Sequence, residues 1–176
     1  DALQKADCHA SNEQLLQQTD NLAYMPETTE FCQFICQAGW SILKDQGYAM
    51  ENYSLGVQNL WCQKHSKYSG HDQHVHGFGS QLSGFYFLQT PVDGCRIVLH
   101  DPRPAKVYAD LLEENMENAT DASHLINITP KPGLLVFMNS WLPHGFTRSN
   151  SDDPTVFMHF TLIPGLPTRN PNVEIV

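Results

Sequence analysis

Positive charge is scarce in this chain and nowhere clustered: 10 lysines and arginines stand against 19 aspartates and glutamates, for a formal net charge of -9. Phosphate backbones are held by grouped lysine and arginine, so no nucleic acid is expected as a partner. Long apolar runs are missing too. Nothing approaches the roughly eighteen consecutive apolar residues of a spanning helix, so no membrane is expected to be crossed. No charged-then-apolar leader of the secretory kind opens the sequence, which begins at Asp1 rather than at a methionine. Cysteine is sparse: Cys8, Cys32, Cys36, Cys62 and Cys95 form an odd set without the pairing rhythm of small secreted scaffolds, and they read as reduced thiols in a cytoplasmic protein. Repeats and low-complexity tracts are also absent. What remains, 41% hydrophobic and 16% charged residues over 176 positions, suits a single globular domain spanning 1–176 with room for a sizeable core.

The first fifty residues read as helical and the rest as strands. Asn12 to Leu22 is polar with sparse apolar positions. Glu27 to Gln46 carries the stronger pattern, with Phe31, Ile35, Ala38 and Ile42 recurring every three or four residues along one face, Thr28 or Thr29 as the cap and Gly47 as the stop. Cys32 and Cys36 lie one turn apart on it and are expected to pack in the core, because a free thiol behaves as a small hydrophobe. From Tyr53 onward the period becomes two. Strands are expected at Gly56 to Cys62, Gln73 to Phe78, Gly84 to Gln89, Cys95 to His100, Gly133 to Asn139 and Thr155 to Ile163, separated by turns such as Pro91-Val92-Asp93-Gly94. A helix is expected within Pro104 to Asn118. The fold class is α+β: helices first, then an antiparallel sandwich or jelly roll over 51–176.

The chemistry concentrates in Gly70-His71-Asp72-Gln73-His74-Val75-His76-Gly77. On an extended backbone the side chains at i and i+2 leave from one face, so His74 and His76 can converge on one small object, a divalent metal ion above all. His144, in Trp141-Leu142-Pro143-His144-Gly145 after an apolar strand, is the third candidate ligand. Neutral imidazoles suit Fe(II), Zn(II), Ni(II) and Cu(II), and three of them leave coordination positions open.

From Trp61 through His74-Val75-His76, then Ser83-Gly84-Phe85-Tyr86-Phe87-Leu88 and Asp101-Pro102-Arg103-Pro104, to Pro132-Gly133-Leu134-Leu135-Val136-Phe137 and Trp141-Leu142-Pro143-His144-Gly145, the chain resembles the 2-oxoglutarate and Fe(II)-dependent oxygenases, in the prolyl-hydroxylase-like branch with bacterial and phage members. The resemblance spans residues 56 to 163 and implies a cupin-like double-stranded β-helix. It also implies Fe(II) on His74, His76 and His144, 2-oxoglutarate chelating that metal, and hydroxylation of a small-molecule or peptide substrate that the sequence does not identify.

Two positions depart from the family pattern. His76 stands where most of the superfamily has a carboxylate; Asp72, two residues before His74, is the alternative ligand or else an acceptor for an imidazole N–H. Thr155 stands where related sequences generally carry the arginine for the far carboxylate of 2-oxoglutarate. Arg148, Tyr86 and His159 are therefore the candidates for that cosubstrate, with Arg96 a further choice and the Tyr86 hydroxyl expected inside the barrel. Trp61 and Trp141 are candidates to line the pocket, Arg103 is expected to close a corner with Asp101, and His65 and His71 are expected in a loop. His9, His100 and His124 have no motif around them. Two other readings stay open. A cupin-type metalloprotein would act without 2-oxoglutarate, although 77–81 lacks the acid that cupins usually place after the pair, and a jelly roll can also be a non-catalytic binding module. An exposed sheet edge could join two chains as a homodimer.

Overall fold

The period-two stretch after Tyr53 supplies most of two facing antiparallel sheets, and two short strands before it extend the larger one. The computed structural model describes residues 9–10, 15–77, 79–108, 111–115 and 118–165. Six strands form one sheet in the spatial order β1 (His9–Ala10), β2 (Leu16–Gln18), β3 (Leu55–His65), β10 (Thr155–Pro164), β5 (Leu82–Gln89) and β8 (Leu135–Asn139). Four form the other, in the order β4 (His71–His74), β9 (His144–Phe146), β6 (Ile97–His100) and β7 (Leu125–Ile128). The chain passes repeatedly between the sheets, which is the jelly-roll arrangement of a double-stranded β-helix.

One α-helix, α1 (Thr29–Asp45), covers the outer face of the larger sheet. Its apolar stripe of Ile35, Gly39 and Leu43 packs on Leu60, Leu82, Phe160 and Leu162, all fully buried. Each large aliphatic buried there contributes on the order of 1.5–3 kcal/mol. Cys32 and Cys36 pack against this cluster, as expected for thiols acting as hydrophobes. Gly47 ends the helix with a φ of 96°, and the following Tyr48 N–H donates to the Leu43 carbonyl. Thr28 is the cap residue, as expected, but its hydroxyl donates backward to the carbonyls of Leu22 and Met25 instead of accepting from the first turn.

Three other expectations are corrected. The described part of the run expected to be helical before Leu22 contains β2, whose Leu16, Gln17 and Gln18 pair with His65, Lys64 and Gln63 of β3, so an open sheet edge overrides weak helical periodicity. The expected helix after Asp101 is a short 3-10 turn, Pro104–Tyr108. Side-chain bonds hold the segment that follows, with the Ser123 hydroxyl donating to Glu113 and to the Asn118 carbonyl. The expected strand from Gln73 ends at His74, so His76 lies just beyond it, and Phe78 and Cys8 fall outside the described residues.

Candidate metal centre

The antiparallel pairing of β4 with β9 sets His74 directly opposite His144, so both imidazoles rise from the same side of the smaller sheet. The two backbones approach closely at Gly145, where a Cβ would lie 2.6 Å from the His71 carbonyl oxygen; only glycine leaves that space. His76 is brought over by a different device. Its N–H donates to the Ser140 carbonyl at 2.9 Å, and the Ser140 hydroxyl is bonded to those of Ser80 and Ser83 at 2.7 and 2.8 Å. This serine cluster ties the segment after β4 to the turn that leads into β9.

His74, His76 and His144 each offer a ring nitrogen within 4.8 Å of the other two. The tautomers of two of them follow from their partners. His74 Nδ1 lies 2.9 Å from the Asp72 carbonyl and His144 Nδ1 lies 2.8 Å from the Leu142 carbonyl. A carbonyl can only accept, so both Nδ1 atoms carry the proton and both Nε2 lone pairs are free for a cation. His76 Nε2 stands 3.2 Å from His144 Nε2. Burial first, and the neighbouring imidazoles second, push His76 down to about 4; burial likewise takes His144 to about 4 and lowers His74. The rings are therefore neutral at physiological pH, the form that ligates.

The Asp72 carboxylate is not part of this group; the residue serves the site through its backbone oxygen. His159, on β10, places Nε2 3.3 Å from His76 Nε2 and is almost wholly enclosed, with burial holding it well below its ordinary pKa. The centre opens into a cavity of about 250 Å³ lined by Trp61, Gln63, Phe85, Phe146 and His159 together with His71, His74 and His76. No arginine or lysine is among its described lining residues.

Two of the three expected cosubstrate residues lie elsewhere. Phe85 and Phe87 point between the sheets, so strand alternation turns Tyr86 outward onto Phe31 of α1, with ring centroids 5.5 Å apart. Arg148 is exposed where the chain leaves β9, lies against Gly70 and is not among the residues lining the cavity. Arg96 is likewise exposed, on the surface beside the Pro91–Gly94 turn. Trp61 does line the cavity, whereas Trp141 is exposed beside a separate depression of about 480 Å³ that also contains Arg103 and His124. Arg103 clasps Asp101 at 2.6 to 3.0 Å, the expected corner. His71 and His65 are not loop decoration. His71 sits on β4, its ring 4.3 Å from that of His74. His65 ends β3, fully buried between Phe146 and Phe157, with Nδ1 on the Ser69 hydroxyl at 3.0 Å.

Residues 59–160 match the family model described as "Putative 2OG-Fe(II) oxygenase". Among curated protein sequences none matches the chain. Several solved structures share the fold. A 2OG-Fe(II) oxygenase family oxidoreductase from Burkholderia pseudomallei superposes with a TM-score of 0.63 at 10% identity, over 91% of this chain and 73% of that one. A prolyl-4-hydroxylase from Pseudomonas putida gives 0.58 at 12% identity over 89% and 77%. HygX from Streptomyces hygroscopicus, with nickel, 2-oxoglutarate and hygromycin B bound, gives 0.57 at 15% identity over 96% and 76%.

Proposed function

Because this chain belongs to the 2-oxoglutarate and Fe(II) oxygenase family, we propose that it is an Fe(II)- and 2-oxoglutarate-dependent dioxygenase that hydroxylates a small-molecule or peptide substrate, with the iron held by His74, His76 and His144. The observation that carries the reading is the convergence of three imidazole nitrogens, two with their Nδ1 protons fixed on backbone carbonyls so that Nε2 is free. That donor set fits Fe(II), an imidazole-accepting ion that keeps open positions when only one face is occupied by protein. Iron and 2-oxoglutarate together supply the dioxygen chemistry, which puts a hydroxyl on a substrate carbon. The protein's own contribution is orientation and exclusion of water. The carbonyls of Asp72 and Leu142 fix two rings, the serine cluster fixes the backbone at His76, and Phe85 and Phe146 make the cavity wall apolar. Of the three cosubstrate candidates, His159 is the one that lines the cavity at the centre, which supports it as a contact for the keto acid.

The reading is tested by adding Fe(II) and then 2-oxoglutarate to the protein without oxygen. A weak, broad visible absorption band is expected that requires both. Metal binding with no such band would instead fit a cupin-type protein acting without the keto acid.

A further inference from the structure

The depression beside Trp141, about 480 Å³, is larger than the cavity at the centre and shares a wall with the metal site. The Leu142 carbonyl holds Nδ1 of His144, Leu99 lies opposite His144 across β6 and β9, and both leucines line the depression. Two side chains that line it are braced in the same way. Arg103, 60% exposed, directs Nε and Nη2 at the Asp101 carboxylate, which is only 7% exposed. His124, 58% exposed, places Nδ1 3.3 Å from the Glu113 carboxylate, which is 6% exposed and accepts from the Ser123 hydroxyl at 3.0 Å. Surface ion pairs add little to stability, and enclosing one partner opposes even that gain. What the two carboxylates do achieve is orientation. Arg103 Nη1 and His124 Nε2 are held in place and have no hydrogen-bond partner among the described residues.

We propose that this depression docks a peptide substrate, taking an aliphatic side chain and the amide beside it while the residue to be hydroxylated lies at the metal. The inference rests on the oxygenase reading above. Leu99, Leu125 and Leu142 supply an aliphatic floor, and the exposed Trp141 ring is an aromatic wall of the kind that dominates binding energy once covered. The polar positions suit an amide. Arg103 Nη1 can only donate, which matches a carbonyl oxygen; with its Nδ1 proton turned to Glu113, neutral His124 has a lone pair at Nε2, which matches an amide N–H. Ionic ligands fit less well. A carboxylate would meet Asp121 and a guanidinium already neutralised by Asp101, and an ammonium would meet the open edge of that guanidinium.

The test is NMR titration of the metal-free full chain with three probes that share one aliphatic body: N-acetylleucinamide, which is neutral, N-acetylleucine, an anion, and leucinamide, a cation. The signals followed are the Trp141 indole N–H and the His124 ring. The neutral amide is expected to move both with roughly millimolar affinity, the scale for a ligand of its size, and the acid and the amine to bind several-fold more weakly. Trp141→Ala, at an exposed position that leaves the core intact, and Arg103→Gln are each expected to weaken the amide by roughly tenfold, read at His124. A neutral amide that moves neither signal, or that binds Trp141→Ala as tightly as the wild type, overturns the proposal, and so does tighter binding of the acid or the amine, which would mark a small ionic ligand. Because neither metal nor keto acid is present, those results leave the oxygenase reading standing. Amide binding by a protein that gives no visible band with Fe(II) and 2-oxoglutarate would overturn the assignment of the site to a hydroxylation substrate.

Discussion

Along β3 and β10, neighbouring residues of one backbone face two different surroundings. Leu60, Cys62, Phe160 and Leu162 point toward α1 and form an all-apolar layer, whereas Trp61, His65, Phe157 and His159 point toward the smaller sheet. The outer layer can be understood from area burial alone. The inner one cannot, because it encloses imidazoles held neutral and nitrogens left unpaired, each of which opposes folding. Stability is thus concentrated on one face of the sheet and chemistry on the other, with a two-residue period separating them.

Substitutions on the two faces should behave oppositely. The largest effect is expected from His144→Ala, which removes a ligand while sparing the α1 cluster. Fe(II) affinity should fall by roughly a hundredfold or more, beyond what loss of an outer-shell partner causes, with the far-UV circular dichroism of the folded protein retained. Unchanged metal affinity would place the centre elsewhere. Leu162→Ala, on the outer face, should cost about 2–5 kcal/mol in urea unfolding and leave the metal affinity of the folded protein as it was; a parallel loss of metal would show that the faces are not independent.

A smaller effect is expected from pH on the metal-free protein. In the unfolded chain the histidines take up protons near 6.5, while in the folded state His65, His76 and His144 do so only near about 4. Between those values the unfolded state holds more protons, so stability falls as pH is lowered through the window and levels off below it. Urea midpoints measured at intervals from pH 7 to pH 4 should decline, and a flat series would contradict the neutral, enclosed imidazoles. Smallest is Ser140→Ala, which breaks the hydroxyl cluster behind His76 and should cost on the order of 1 kcal/mol with a slight weakening of metal binding. A stability loss with no change in metal affinity would mean that the cluster does not position His76.

Much of this architecture is legible in the residues. The spacing of Phe31, Ile35 and Ile42 shows α1, and the contexts of His74, His76 and His144 single out the three imidazoles that the fold brings together. What is not legible has physical causes. β5 is buried on both faces through most of its length, so its apolar run carries no phase, and the orientation of Tyr86 cannot be read from it. His65 is hidden for a related reason, since alternation along β3 shows two faces but not which one lies inside. β2 and β9, at three residues each, are set by backbone pairing with neighbours distant in sequence, which no local pattern records. The absent arginine at Thr155 is a visible signal, whereas the pairing of Trp61 with His159 beside the centre appears only once β3 and β10 are side by side.

The most direct test of the central claim is a crystal structure of the protein loaded with Fe(II) without oxygen, with the ion located by its anomalous scattering. The account predicts one peak about 2 Å from the Nε2 atoms of His74, His76 and His144. A peak bound by the Asp72 carboxylate in place of His76, or one lying away from His144, would contradict it.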